Sequence, residues 1–293
     1  MLKNTSRRPE WLRKEKILNS DVLNTRKTIT FLGLHTVCTS ARCPNLSECY
    51  SRGVATFMIL GDICTRNCGF CSVNHGIPAY PNMEEGEKIA EYIKKTGIRF
   101  CVITSVTRDD LGDGGADHFI RVVEDIKREV PGIKIELLVP DFGGNRECID
   151  KIMRLPIEVF AHNVETVERL YPTVRKGADY RRSLKLLKTA SDKSKRRTVV
   201  KSGIMLGLGE TREDLEQLFK DLTEAGVEIL TMGQYLQPTM KNLEVKKYYK
   251  PEEFEQLKEL ALKQGISSVV AGPYVRSSYL AEEAYIRSLK KNV

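Results

Sequence analysis

The sequence has no long apolar run, one tryptophan and four histidines in 293 residues. No stretch approaches the ~18 apolar residues of a membrane-spanning helix, so we expect no transmembrane segment. The first residues also lack an apolar core, and they mix Glu10 and Glu15 with the basic residues. They are typical of neither a secretory signal nor a transit peptide. These absences predict a cytoplasmic protein without a membrane partner.

Signals for nucleotide and nucleic-acid binding are also weak. The Gly207 and Gly209 turn could approach a phosphate, but no Lys-Ser or Lys-Thr pair follows it, which excludes a nucleoside-triphosphate loop. The net charge is +8, from 47 basic and 39 acidic residues, and it favours an acidic partner. The concentrated basic run at 193–197 lacks the aromatic residues that stack on bases. We therefore expect an acidic protein surface, and no nucleic acid, as the partner.

Cysteine, in contrast, is abundant and concentrated. Six of the eight cysteines fall between Cys38 and Cys71. In a chain without an export signal, such clustering argues against a disulfide framework and indicates metal binding.

One triplet, Cys64, Cys68 and Cys71, directly follows an apolar run that is typical of a buried strand. Three thiolates on one short loop can hold three corners of an iron–sulfur cluster and leave the fourth iron open. The alternative is a zinc site, but structural zinc sites take four ligands, and His75 is the only nearby candidate for the fourth. The spacing therefore favours the cluster.

A second triplet, Cys38, Cys43 and Cys49, surrounds Pro44 and several small polar residues. This composition predicts a loop that can turn its thiolates toward a common centre. The alternatives are a second zinc site or scattered core cysteines. Again three ligands are visible and a fourth is missing.

The rest of the chain alternates between strand and helix patterns. Apolar runs predict strands at 55–60, 100–105, 133–139, 159–164, 199–206 and 229–236, with helices at 84–95, 116–128, 146–154, 180–191 and 212–225. Such repeats imply parallel strands with right-handed crossovers. The fold class is therefore α/β. A partial (β/α)6 barrel fits best, and an open doubly wound sheet is the alternative.

We divide the chain into an N-terminal arm (1–52), a β/α core (53–240) and a C-terminal extension (241–293). In the arm we predict helices at 11–19 and 20–27, packed over the main body. In the extension we predict helices at 252–264 and 280–289.

Polar residues follow several predicted strands at the point where each one ends. Since the carboxyl ends of parallel strands meet at one edge, these residues predict a single site. They are Thr104, Ser105, Asn163, Glu165, Gly207, Gly209 and Glu210.

With both triplets and the tail motif Arg276-Ser277-Ser278-Tyr279, the sequence resembles the lipoyl synthases of the radical-SAM superfamily. The resemblance covers the chain from Trp11 to the last helix. Cys64-x3-Cys68-x-Phe70-Cys71 identifies the superfamily, whereas Cys38-x4-Cys43-x5-Cys49 and the tail motif are specific to the family. The resemblance implies a radical-SAM barrel whose N- and C-terminal extensions carry an auxiliary cluster.

The resemblance implies that Cys64, Cys68 and Cys71 hold a [4Fe-4S] cluster whose open iron binds S-adenosylmethionine. It implies that Phe70 lies against the adenine, that Asn163 and Glu165 address the ribose, and that Thr104 and Ser105 lie near the methionine end. The segment with Gly207, Gly209 and Glu210 resembles the adenine-side motif of the superfamily, with Met205 where Ile is common.

By the same resemblance, Cys38, Cys43 and Cys49 hold a second [4Fe-4S] cluster, which gives up its sulfides. Its fourth ligand is a serine oxygen, which we assign to Ser278 rather than Ser277. The family acts on octanoyl-lysine, whose sixth and eighth carbons have neither an acidic proton nor a leaving group. Radical chemistry is therefore needed, and a cofactor must supply it.

The implied partners are an octanoylated lipoyl carrier domain or glycine-cleavage carrier protein, an electron donor and an iron–sulfur carrier. Such carrier domains tend to be acidic, which suits the positive charge, and Arg175, Arg181 and Lys185 are candidates to face them. Nothing in the sequence demands more than a monomer. Two alternatives stay open: another radical-SAM sulfur-inserting enzyme, or a zinc module that binds nucleic acid.

Overall fold

The computed structural model describes residues 8–15, 17–194 and 198–290. Residues 195–197 of the basic run therefore lie outside the described residues. The strands in the described part are β1 (Thr56–Ile59), β2 (Ile63–Cys64), β3 (Asn74–His75), β4 (Phe100–Ser105), β5 (Lys134–Leu138), β6 (Val159–Ala161), β7 (Val199–Leu206), β8 (Ile229–Gln234) and β9 (Ser268–Gly272).

The helices precede, connect and follow these strands. In the described residues they are α1 (Ser20–Phe31), α2 (Val37–Ser40), α3 (Leu46–Ser51), α4 (Glu85–Thr96), α5 (Ala116–Glu129), α6 (Arg146–Ile152), α7 (Tyr171–Val174), α8 (Tyr180–Lys193), α9 (Arg212–Glu224), α10 (Pro251–Lys263) and α11 (Ala281–Lys290). None of them is long and apolar enough to cross a bilayer.

The main sheet is wholly parallel, in the order β1-β4-β5-β6-β7-β8-β9. It follows chain order without a reversal, so the structure is consistent with the predicted partial barrel and not with the doubly wound alternative. The seventh strand, β9, comes from the C-terminal extension and pairs with β8 from Ser268 to Gly272. No hydrogen-bonded pairing joins β9 to β1 among the described residues, so the barrel is open on that side.

Alternate residues of a strand point to the same side of the sheet. Along the strands, the side chains on the inner face form an apolar layer, then a middle layer with an ion pair, and then a polar layer at the carboxyl ends. At the amino ends of the strands, Phe100, Val159 and Ile229 pack with Ala284 and Tyr285 of α11. The C-terminal helix therefore plugs the bottom of the barrel. Above this apolar layer, residues further along the same strands reach the open, carboxyl end.

The middle layer holds a buried ion pair. Lys201 of β7 donates to both carboxylate oxygens of Glu136 on β5, at 2.8 and 2.9 Å, and neither side chain is more than 1% exposed. Burial raises the pKa of Glu136. The pair separates the apolar plug from the polar end of the barrel, where the strand ends meet.

The arm differs from the prediction. The helix predicted at 11–19 is wrong: a single 3-10 turn spans Glu10–Leu12, and α1 begins only at Ser20, capped by the side chain of Asn19. Tertiary hydrogen bonds explain the difference, since the Trp11 indole donates to the Tyr249 carbonyl at 3.2 Å and the Ile17 amide donates to Ser47 at 3.2 Å. The part of the arm that precedes α1 is therefore held by contacts with distant residues rather than by helical hydrogen bonds.

Candidate iron–sulfur and cofactor site

Both cysteine triplets line one cavity of about 1000 Å³ at the carboxyl ends of the strands. The parallel sheet places the Cys64 loop there because that loop directly follows β1. The remaining two cysteines, Cys101 and Cys148, lie in the apolar core. All eight cysteines belong to the described part of the chain and none is in a disulfide. The lining cysteines are Cys38, Cys43, Cys49, Cys64, Cys68 and Cys71.

Backbone amides point at two of the sulfur atoms of the Cys64 loop. The amides of Thr107 and Arg66 donate to Cys64 Sγ at 3.3 and 3.4 Å, and the Val73 amide donates to Cys71 Sγ at 3.4 Å. Amide donors of this kind stabilise thiolate charge and tune iron–sulfur clusters.

Arg66 fixes the same loop to the ends of two neighbouring strands. Its guanidinium pairs with Asp109 at 2.6 Å and with Asp141 at 2.8 Å. Bidentate contacts of this kind are among the stronger side-chain interactions. Asp141 is buried whereas Asp109 is exposed, and Arg66 holds the pKa of Asp141 below its usual range. The loop is thereby anchored from the β4 and β5 side.

A segment after β8 holds the loop from the other side. The Asn242 amide donates to the Cys71 carbonyl at 2.8 Å, and the Leu243 amide donates to the Gly69 carbonyl at 2.9 Å. The Gly69 amide in turn donates to the Val174 carbonyl at 3.0 Å. The cysteine loop is therefore held on both sides by side-chain and backbone contacts within the protein itself.

The second triplet sits on short helices beside the first. Cys38 lies in α2 and Cys49 in α3, with Cys43 in the connection between them. The Ser72 hydroxyl, next to Cys71, donates to the Ser40 carbonyl at 2.8 Å and so links the two triplets directly.

The tail closes the cavity over the second triplet. Asn45 donates to the Tyr274 carbonyl at 2.7 Å, and the Tyr279 hydroxyl donates to Glu48 at 2.8 Å. Lys14 of the arm pairs with the same Glu48. Arm, second triplet and tail therefore form one connected unit.

Gly233 at the end of β8 makes this docking sterically allowed. A Cβ atom at that position would lie 2.0 Å from the Val275 carbonyl oxygen and 3.1 Å from Arg276 Nη1. The tail backbone thus passes directly over β8, at a point where only glycine leaves room.

The two serines of the tail motif differ in their contacts. The Ser277 hydroxyl donates to Asn163 Oδ1 at 3.0 Å. Ser278 also lines the cavity, yet its hydroxyl has no hydrogen-bond partner within the described residues. Of the two, Ser278 is the hydroxyl left available to a ligand.

Four of the cysteine thiols are shifted strongly toward the neutral form. Burial raises the pKa of Cys38 to about 11 and that of Cys68 to about 11. It raises the pKa of Cys49 and of Cys71 to about 12. Without a cation these thiols are protonated at neutral pH, so metal binding must displace their protons.

The geometry differs from that of a closed zinc site. In the described chain, no group of three or more His, Cys, Asp or Glu side chains is close enough together to hold a single metal ion. His75, the candidate fourth zinc ligand, is exposed and does not line the cavity. In an iron–sulfur cluster, by contrast, each thiolate binds a different iron, so three thiols need not converge on one metal ion.

Sequence comparison identifies the family. Residues 58–222 match the model of the Radical SAM superfamily. A lipoyl synthase of Caldicellulosiruptor saccharolyticus is 49% identical over 278 residues, which cover 95% of this chain and 97% of the relative. A lipoyl synthase of Chlorobaculum tepidum is 48% identical and covers 94% of this chain and 95% of its own. The chain belongs to the lipoyl synthase family.

Solved structures agree on the fold. Methylornithine synthase matches with a TM-score of 0.57 at 16% identity, over 93% of this chain and 83% of its own. Streptococcus suis SuiB bound to S-adenosylmethionine matches with a TM-score of 0.53 at 12% identity, over 82% of this chain and 51% of its own. These similarities concern the fold alone.

Five of the residues that the lipoyl synthase resemblance assigned to the cofactor line the cavity: Phe70, Thr104, Ser105, Asn163 and Glu165. Asn163 donates to Glu165 at 3.2 Å, and burial raises the pKa of Glu165. Thr104 donates to the Leu138 carbonyl at 2.8 Å. The Ser105 hydroxyl is buried without a partner in the described chain, so it can still accept or donate to a ligand.

Three others, Gly207, Gly209 and Glu210, lie outside the lining of the cavity. The Glu210 carboxylate accepts from the amides of its own loop, at 2.6 Å from Gly207 and 3.0 Å from Gly209. A Cβ at Gly207 would lie 2.3 Å from the Lys247 carbonyl oxygen, which explains the glycine. These residues shape the loop, and Met205 of the same motif reaches the cavity instead.

Two cavity cations were not assigned a role in the site from the sequence. Arg276 lines the cavity near Cys43, and its guanidinium donates to the Val275 carbonyl at 2.6 Å. Arg175, predicted as a candidate to face a partner protein, instead lines the cavity and donates to Tyr171 and Ser183 at 3.0 and 3.1 Å. The position of Arg276 within the tail motif was the available signal.

Proposed function

We propose that this chain inserts sulfur at the sixth and eighth carbons of a protein-bound octanoyl-lysine and so forms lipoyl-lysine. The observation that carries the proposal is that both cysteine triplets and Ser278 line the same cavity. Membership of the lipoyl synthase family supports it, with curated relatives 48–49% identical over most of the chain. The two alternatives, another sulfur-inserting enzyme and a zinc module, lack comparable support.

Two [4Fe-4S] clusters and S-adenosylmethionine are the cofactors of this reaction. Cys64, Cys68 and Cys71 would hold one cluster, and Cys38, Cys43 and Cys49 with the Ser278 oxygen would hold the other. Together they supply an S-adenosylmethionine-derived radical that removes unactivated hydrogen atoms, and the sulfur that replaces them.

The side chains of this chain bind and orient the reactants. Phe70 offers an aromatic face for the adenine, while Asn163 and Glu165 offer an amide and a carboxylate for the ribose hydroxyls. Thr104 and Ser105 lie on the β4 end, where the unpartnered Ser105 hydroxyl suits the polar methionine end. Arg175 provides a cation that lowers the pKa of the nearby Cys68 thiol, against the larger effect of burial.

Ser278 has a distinct part in this scheme. An alkoxide is a harder ligand than a thiolate and a poorer match to cluster iron. That corner of the auxiliary cluster would therefore open more readily than the three thiolate corners. The neighbouring Ser277 is held by Asn163, so it couples the tail to the cofactor side of the cavity.

The octanoylated carrier protein is the substrate in this proposal, and an electron donor and an iron–sulfur carrier are the other partners. The cytoplasmic location and the monomeric state stay predictions from the sequence.

The test is an anaerobic reaction of the protein with S-adenosylmethionine, a reductant and an octanoyl-lysine peptide, read by mass spectrometry. The preparation must first contain about eight irons per chain, as two four-iron clusters require. We expect a product in which two sulfurs replace two hydrogens. Cleavage of S-adenosylmethionine with an unchanged peptide would keep the superfamily assignment and overturn the substrate.

A further inference from the structure

The mouth of the cavity carries an unusual set of exposed side chains. Of the residues that line the cavity, four are exposed: Arg8, Leu18, Arg26 and Arg42. All four lie in the N-terminal arm: Arg8 and Leu18 before α1, Arg26 in α1, and Arg42 in the connection between Cys38 and Cys43. Leu18 is 84% exposed, although it is a large apolar residue.

The three arginines are not neutralised by the chain itself. None of their side chains forms an ion pair or a hydrogen bond with the described residues, whereas Lys14 beside them is paired with Glu48. The only carboxylate among the lining residues is Glu165, which lies inside the cavity next to Asn163. The mouth is therefore a cationic rim around an exposed leucine.

Apolar residues continue from this rim into the cavity. Leu12, which precedes α1, and Val22 of α1 line the cavity, and each is only 3% exposed. They belong to the same segments as Leu18 and Arg26. An acyl chain that enters between the arm and α1 would thus pass along apolar side chains toward the second cysteine triplet.

We propose that this rim, Arg8, Leu18, Arg26 and Arg42, docks the acidic surface of the carrier domain that delivers the octanoyl-lysine. This inference rests on the proposed function. An acyl-lysine arm is short, so the protein that bears it must sit at the mouth while the acyl chain is inside. Unpaired arginines at an interface rim attract a surface of opposite charge and speed its encounter.

The candidates named from sequence fit this role less well. Arg181 is paired with Glu168 at 2.7 Å, so its charge is compensated, and Arg175 is engaged inside the cavity. Lys185 is exposed but does not line the cavity. None of the three supplies free positive charge at the opening.

The test compares two double variants with the same loss of charge. R8E/R26E reverses two rim charges and spares Arg42, which lies between two cluster cysteines. R99E/R154E is the matched control, because Arg99 and Arg154 are exposed, carry no side-chain bond in the described chain, and precede β4 and β6 at the opposite end of the sheet. Each reaction uses either an octanoylated lipoyl carrier domain of net negative charge or an octanoyl-lysine tripeptide.

We expect R8E/R26E to lower kcat/KM for the carrier domain about tenfold or more at low salt, the size expected for lost electrostatic steering. The kcat/KM for the tripeptide should fall far less, and the control variant should change the kcat/KM for either substrate by no more than about twofold. Added salt should lower the wild-type rate on the carrier domain toward that of the variant.

Other outcomes overturn the docking surface. An equal fall with both substrates would mean that the rim acts on folding or on the clusters. If kcat/KM fell with neither substrate, the carrier domain would dock elsewhere. If the wild type cleaves S-adenosylmethionine but converts neither substrate, the proposed function fails, and the docking surface fails with it.

Discussion

At the scale of single residues, the two serines of the tail motif differ in their contacts, and on this difference we assign Ser278 as the proposed fourth ligand of the second triplet. The tail motif contains two adjacent serines, and sequence alone does not distinguish them by any physical property. The structure shows Ser277 bonded to Asn163, whereas Ser278 faces the cavity without a partner in the described chain. This difference could not be read from the sequence, because it depends on where the tail crosses β8.

The first prediction concerns S278C. A thiolate should bind that iron more firmly than the serine oxygen does, so the variant should keep its iron and lose turnover by about 10- to 100-fold. Iron content and product mass are the measurements. The matched variant S277C removes the bond to Asn163, so we expect it to raise the KM for S-adenosylmethionine instead. Full turnover by S278C would contradict the ligand assignment.

The second prediction concerns G233A. The added Cβ would collide with the Val275 carbonyl oxygen, so the tail should shift and withdraw Ser278. We expect the iron content to fall from about eight toward about four per chain, with a loss of about 1–3 kcal/mol in stability. G132A is the control, because a Cβ there meets nothing within 4 Å. Full iron content in G233A would refute the steric argument.

At the scale of elements, local patterns predicted most strands and helices. The helix expected at 116–128 is α5, Ala116–Glu129, and the one expected at 212–225 is α9, Arg212–Glu224. Both have strongly amphipathic sequences. The helix expected at 11–19 does not form, because the hydrogen bonds of Trp11 and Ile17 to distant residues outweigh a weak local helix propensity. We did not predict the pairing of β9 with β8 from the sequence, because strand pairing depends on the arrangement of the whole sheet.

The buried ion pair gives the third prediction. K201M leaves the Glu136 carboxylate without a partner in the barrel interior, which should cost about 3–5 kcal/mol in the free energy of unfolding at neutral pH. The double variant E136L/K201M should recover most of this loss, because no charge is left behind. Urea unfolding of the anaerobically purified proteins measures both. Equal stability of K201M and the double variant would contradict this account.

The same variant has a defined pH dependence. Burial raises the folded-state pKa of Glu136, so the folded state holds this proton more tightly than the unfolded state. Such a group favours folding at low pH and loses that contribution as the pH rises through the unfolded-state value and up to the folded-state value. The deficit of K201M should therefore be smaller at pH 5 than at pH 8. The opposite trend would mean that Glu136 finds another cation.

On the scale of the whole molecule, the fold gathers distant segments around one cavity. The cysteine triplets, the strand ends and the tail were each visible in the sequence. Their meeting was not, because it depends on the Ser72–Ser40 bond, the Glu48–Tyr279 bond and the seating of the tail over Gly233. The opposite case also occurs. A motif in the sequence predicted a cofactor-binding role for three residues that do not line the cavity in the fold, namely Gly207, Gly209 and Glu210.

The shared cavity also accounts for how sulfur can reach the substrate. Both triplets line it, so the two clusters that we propose there would act on one acyl chain without its release. The apolar residues Leu12 and Val22 border the side of the second triplet. If this account is right, the sulfur in the product comes from the protein rather than from solution.

The most direct measurement follows the sulfur atoms. The protein is loaded anaerobically with clusters built from isotopically heavy sulfide, freed of excess sulfide, and reacted with S-adenosylmethionine, a reductant and an octanoyl-lysine peptide. The account predicts a lipoyl product in which both inserted sulfurs are heavy, at no more than one product per chain before the clusters are rebuilt. A product with light sulfur, or an unchanged peptide beside cleaved S-adenosylmethionine, would contradict it.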